Sequence, residues 1–100
     1  MKRMFLDLDG EQFFDIRGEN YETIKNFINS NFIGQGKHYG SLPEIIDNKS
    51  KPLILINYSD GDDDIEEINH NNIEENIKMY VEQEDVDSVQ YLGFPTVLNI

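Results

Sequence analysis

Pro52-Leu53-Ile54-Leu55-Ile56-Asn57-Tyr58-Ser59 decides the fold of this chain, and it runs directly into Asp60-Gly61-Asp62-Asp63-Asp64-Ile65-Glu66-Glu67. Four consecutive aliphatic residues, 53–56, two of them β-branched, stand between a proline and a Ser-Asp-Gly cluster. That pattern predicts a strand buried on both faces and central in its sheet. The eight residues from Asp60 hold six carboxylates. Ionised carboxylates cannot enter a core unpaired, so the strand is expected to deliver an acidic loop to the surface.

Toward the N-terminus, Met4-Phe5-Leu6-Asp7-Leu8 alternates, Asp9-Gly10 supplies the positive-φ positions of a tight turn, and residues 11–16 return as the second arm of a β-hairpin. Asn20 is the expected N-cap of a helix whose apolar face is Tyr21, Ile24, Phe27 and Ile28, ending near Ser30 and Asn31. Gly34-Gln35-Gly36-Lys37-His38-Tyr39-Gly40 reads as an exposed loop. Ser41-Leu42-Pro43-Glu44 has capping-box spacing and predicts a short helix over residues 42–48. Beyond the acidic stretch, Ile65, Ile68, Ile73, Ile77, Tyr80 and Val81 predict a turn of helix at 64–68 and a longer helix at about 72–83. Residues 88–92 and 96–100 read as strands around a turn, bulge or sheet edge at Gly93-Phe94-Pro95. The expected fold is α+β: one small domain over residues 1–100, with a mixed or antiparallel central sheet, two to three helices, and the Tyr21 helix packed on residues 53–56.

One hundred residues with 38% apolar composition suffice for one modest core. Cysteine is absent, which excludes disulfides, thiolate zinc sites and a cysteine nucleophile. Asp7 and Asp9 interrupt the only apolar run near the start, and no stretch is long enough to span a membrane, so a cytoplasmic protein is expected. The net charge of −12 is unevenly placed: residues 60–87 hold twelve acids against Lys78 alone. Nucleic acid and anionic membrane need clustered Lys and Arg, so neither is an expected partner. A basic protein surface is the natural complement.

Three chemical motifs invite comparison. Phe5-Leu6-Asp7-Leu8-Asp9-Gly10 resembles the nucleophile motif of the haloacid dehalogenase-like phosphatases, which implies a small magnesium-dependent enzyme using Asp7 and Asp9. Glu11 stands where that family usually has threonine, and an Asp-Gly hairpin turn explains the same residues. Asp60-Gly61-Asp62-Asp63-Asp64 suits a hard cation, but its glycine is second and its acids contiguous, unlike an EF-hand; no metal or other cofactor is expected. His38 and His70 are the only imidazoles, and neither has a recognisable nucleophile nearby in sequence.

Asp9-Gly10-Glu11-Gln12, His38-Tyr39-Gly40, Leu42, Ile45 and Asp47, followed by Pro52-Leu53-Ile54-Leu55, resemble the barstar family of nuclease inhibitors in order and partly in residue type. The resemblance implies a three-layer α/β alternative for the fold and an interface at Tyr39, Gly40 and Asp47. Pro43 and Ile46 depart from the family's aspartate and tryptophan. A small, acidic, cysteine-free chain also resembles the immunity proteins of contact-dependent growth inhibition. The expected function is therefore neutralisation of a cognate basic toxin, a ribonuclease or DNase, by covering its active site. Tyr39, Glu44, Asp47, Asp60, Asp62, Asp63, Asp64, Glu66 and Glu67 are the candidate partner-binding residues. The phosphatase-like enzyme and an acidic adaptor or cation-binding domain are the alternatives.

Overall fold

The computed structural model describes residues 2–8, 10, 12–33, 36–39 and 51–100, with His38 and Tyr39 described by their backbone. The chain forms two compact units, Met1–Lys49 with Pro95–Ile100, and Ser50–Phe94. Strand pairing is mostly antiparallel, with two helices interspersed among the strands, and the class is α+β.

In the first unit, β1 (Lys2–Asp7) and β2 (Phe13–Gly18) form the expected hairpin, with Phe5 opposite Asp15 and Met4 opposite Ile16. Asp7 helps close its turn, because Oδ1 accepts a 2.7 Å hydrogen bond from the Gly10 N–H. The helix α1 (Tyr21–Phe32) starts where Asn20 Oδ1 accepts from the Thr23 N–H at 2.8 Å, the cap read from sequence. It lays Ile24 and Ile28 on Met4, Leu6 and Ile16, with Phe14, Phe27, Phe32 and Leu98 around them. Burying each isoleucine contributes roughly 1.5–3 kcal/mol. A short strand, β3 (Lys37–Tyr39), flanks β1, entered through Gly36 at φ 83°, where a Cβ would lie 2.6 Å from the Asp7 carbonyl oxygen.

The second unit is built on β4 (Leu53–Tyr58), which stands between β5 (Asp63–Glu67) and β6 (Val86–Gly93) in an antiparallel three-stranded sheet. Leu53, Ile54 and Ile56 are fully buried and Leu55 is half-buried, so the face carrying Ile54 and Ile56 is the more fully covered. After a 3-10 turn at His70–Asn72, α2 (Ile73–Val81) packs Ile73, Ile77 and Tyr80 against Ile54, Ile56 and Ile68. Finally β7 (Thr96–Asn99) returns to the first unit and pairs in parallel with β2, giving the order β3-β1-β2-β7.

Three expectations are corrected. Two sheets replace the single sheet, and α1 packs on the β1–β2 hairpin instead of on residues 53–56. Residues 64–68, expected as a helical turn, lie mostly in β5: the Asp60-Gly61 turn folds the chain back so that Ile65 pairs with Leu55, and ladder pairing overrides the three-residue spacing of Ile65 and Ile68. The acidic stretch is consequently the turn and returning arm of a hairpin. The helix expected over residues 42–48 lies outside the described residues. No helix among the described residues is long and apolar enough to cross a membrane.

The hairpin also buries a charged cluster that periodicity alone does not announce. Asp15 is 1% exposed, and Arg3 and Arg17 are 4% exposed. Arg17 brings Nη2 to 2.9 Å and Nε to 3.2 Å from Asp15 Oδ2, and Arg3 Nη1 stands 3.5 Å from the same oxygen. The Arg3 guanidinium also lies 5.4 Å from the centre of the Phe5 ring. Alternation places these residues on the hairpin face opposite α1.

Candidate functional site

β4 enters a tight turn in which the Tyr58 N–H donates to the Asp62 carbonyl at 2.8 Å and the Gly61 N–H donates to the Tyr58 carbonyl at 3.1 Å. Gly61 takes φ 93°, a value that only glycine adopts freely. Asp60 Oδ1 accepts from the Asp62 N–H at 3.0 Å, so one carboxylate of the stretch shapes the turn itself. The tip is tied to the start of β6: the Ser59 N–H donates to the Asp85 carbonyl at 2.8 Å, and Ser59 Oγ lies 3.1 Å from Asp87 Oδ1. Asp60, Asp62, Asp85 and Asp87 are thereby gathered at one end of the sheet.

The remaining carboxylates are sorted by the two-residue period of β5. Asp64 faces Ile56 and Glu66 faces Ile54 across the ladder, so both share the sheet face on which α2 packs. Asp63 and Glu67, opposite Asn57 and Leu53, point to the other face with Ile65. The helix lies chiefly over β6, on the far side of β4 from β5. Asp64 and Glu66 are therefore half-buried at the flank of the helical layer.

Two phenols complete the group. Tyr58 and Tyr80 pack at the margin of the apolar cluster under α2. Partial burial raises the pKa of the Tyr58 hydroxyl above its ordinary 10.0, and the negative charges of Asp64, Glu66, Asp85 and Asp60 add to the effect. Burial likewise raises Tyr80, followed by Glu66, Tyr58 and Asp64. Both hydroxyls stay protonated at neutral pH beside the carboxylates. Glu66 is itself raised from 4.5, first by desolvation and then by the like charges of Asp64 and Glu67. The result is a concentrated negative field with two aromatic hydrogen-bonding groups, an arrangement that suits a guanidinium or ammonium group.

The raised Glu66 pKa carries a stability consequence with a definite sign. Its folded value exceeds the unfolded one, so the folded state binds the proton more tightly, and stability falls as pH rises from about 4.5 through the folded value. Glu66→Gln should stabilise the protein at pH 7, by less than about 1 kcal/mol because the site is partly solvated. That gain should vanish as the pH falls below 4.5. Urea midpoints of the two proteins at pH 4 and pH 7 measure it, and a Glu66→Gln variant less stable at pH 7 would contradict the assignment.

Of the nine residues expected at the interface, the structure brings together Asp60, Asp62, Asp64 and Glu66 and sends Asp63 and Glu67 to the opposite face. Tyr39 lies in β3, in the first unit, while Glu44 and Asp47 are outside the described residues. Sequence reasoning missed Tyr58, Tyr80, Asp85 and Asp87 as members of the site. Their signal was available only as charge counting and helical period, since joining them requires the β4–β6 register and the seating of α2. A shallow depression of about 370 Å³ at the start of α2 is lined by His70, Asn72, Glu74 and Glu75 among others. No group of three or more His, Asp or Glu side chains among the described residues is arranged to hold a metal ion. No family model matches this chain, and neither a curated protein nor a solved structure matches it.

Proposed function

We propose that this chain is an immunity-type inhibitor that binds a basic nuclease toxin in the cytoplasm and covers its active site. The observation that supports this reading is the concentration of charge. The unit Ser50–Phe94 holds twelve carboxylates against Lys51 and Lys78, a net charge of −10, and the hairpin end collects its acids around Tyr58 and Tyr80. Carboxylates in this arrangement take the places that substrate phosphates occupy on a nuclease. Their field accelerates encounter, while half-buried Glu66 and the two phenols serve as anchors.

The test is kinetic. With a cognate toxin, raising ionic strength toward 1 M shortens the screening length to about 3 Å and should slow association steeply. Replacing Asp62, Asp63 and Asp64 together by Asn should lower the association rate by about tenfold and flatten its salt dependence, with a smaller change in dissociation. Glu66→Gln, which removes an anchor, should act mainly on the dissociation rate. A toxin whose association ignores both salt and the triple substitution would exclude the electrostatic mechanism.

A further inference from the structure

β6 is an outer strand: among the described residues it pairs with β4 alone. Residues 88–91 stand in unbroken register with residues 54–57, and irregularities lie at both ends of that run, at Leu53/Ile54 and at Asn57/Tyr58. Proteins ordinarily blunt such an edge with lysine, proline or a central bulge. The eight residues of β6 contain neither lysine nor proline, and both irregularities fall outside the central run. Ser88, Gln90 and Tyr91 are exposed, Tyr91 at 43%. The outward backbone groups of this run form a template for one more strand.

We propose that β6 accepts an extended, Lys- or Arg-bearing segment of a partner protein as a fourth strand, a reading that rests on the basic partner inferred above. Charge selects the occupant. Glu84, Asp85 and Asp87 crowd the start of the strand within a unit of net charge −10, so a second copy of β6 would bring like charges together, whereas a cationic segment is complementary. Backbone hydrogen bonds would supply affinity. Side chains at alternate positions would supply selectivity, beside Val89 and Tyr91 on the α2 face and beside Ser88 and Gln90 on the other.

Two synthetic peptides of about eight residues, alternating Lys and Val, separate strand addition from charge attraction, one of them N-methylated at every backbone amide so that neither of its edges can donate to a ladder. The unmodified peptide should bind the full chain about tenfold or more tightly than its methylated twin and slow amide exchange within residues 88–91. Equal binding by both peptides without protection of β6 would overturn strand addition and leave the acidic-surface reading standing. If neither binds at low salt, both readings fail. If the protein alone forms a dimer with β6 protected, the occupant is a second copy and the proposal is wrong.

Discussion

Ile54→Asp should abolish cooperative folding of the unit Ser50–Phe94. Ile54 is fully buried in the middle strand of its sheet, paired with Glu66 on one side and Tyr91 on the other, and it packs in the cluster that α2 covers. The substitution removes about 2–3 kcal/mol of apolar burial and adds the desolvation of a carboxylate with no cation on the adjoining strand positions. It also places that carboxylate directly opposite Glu66, where like charges repel. A total loss above about 5 kcal/mol approaches the whole stability of a domain this size. Ile54→Val, which keeps the shape of the site, should cost only about 0.5–1.5 kcal/mol and keep the transition cooperative. Urea denaturation followed by circular dichroism distinguishes the two, and an Ile54→Asp protein with a near-native midpoint would show that the β4 face is not a core.

Asp15→Asn should have the next largest effect, a loss of about 3–5 kcal/mol, because it removes the anion on which two buried guanidinium groups converge. The side chain hardly changes shape, so packing is not the cause. Replacing the cluster as a whole, with Arg3→Met, Asp15→Leu and Arg17→Met combined, should restore much of the loss, since apolar residues of similar volume need no charge partner. Equilibrium unfolding at pH 7 compares the three proteins. A loss under about 1 kcal/mol for Asp15→Asn would mean that Asp15 does not hold the guanidinium groups in place.

Much of the local structure was legible because it depends on neighbours in sequence. The N-terminal hairpin, the Asn20 cap, the apolar face of α1 and the aliphatic run of β4 all follow from spacing and residue type, and each stands where the pattern placed it. What escaped was non-local. Ile65 and Ile68 are three apart, as on a helix, and only the return from the Asp60-Gly61 turn makes Ile65 a partner of Leu55. Gly93-Phe94-Pro95 reads as a turn, bulge or sheet edge, and nothing local to it shows that it joins strands of different sheets. The site shows the same division: its net charge was visible at once, whereas the sorting of Asp64 and Glu66 from Asp63 and Glu67 depends on register, where a slip of one residue would exchange the two faces.

The parallel pairing of β2 with β7 sets an order on the birth of the molecule. Phe14 meets Thr96 and Ile16 meets Leu98, so β7 leaves the ribosome after every residue of the acidic unit. At ordinary elongation rates roughly 4–16 s separate the two strands. Throughout that interval the nascent hairpin has one flank without its final neighbour, and only at its end does the intervening segment hold all three of its own strands. A ribosome that stalls before codon 96 would release a chain with a finished acidic hairpin and an unclosed N-terminal sheet, a natural client for chaperones and a marked target for proteases.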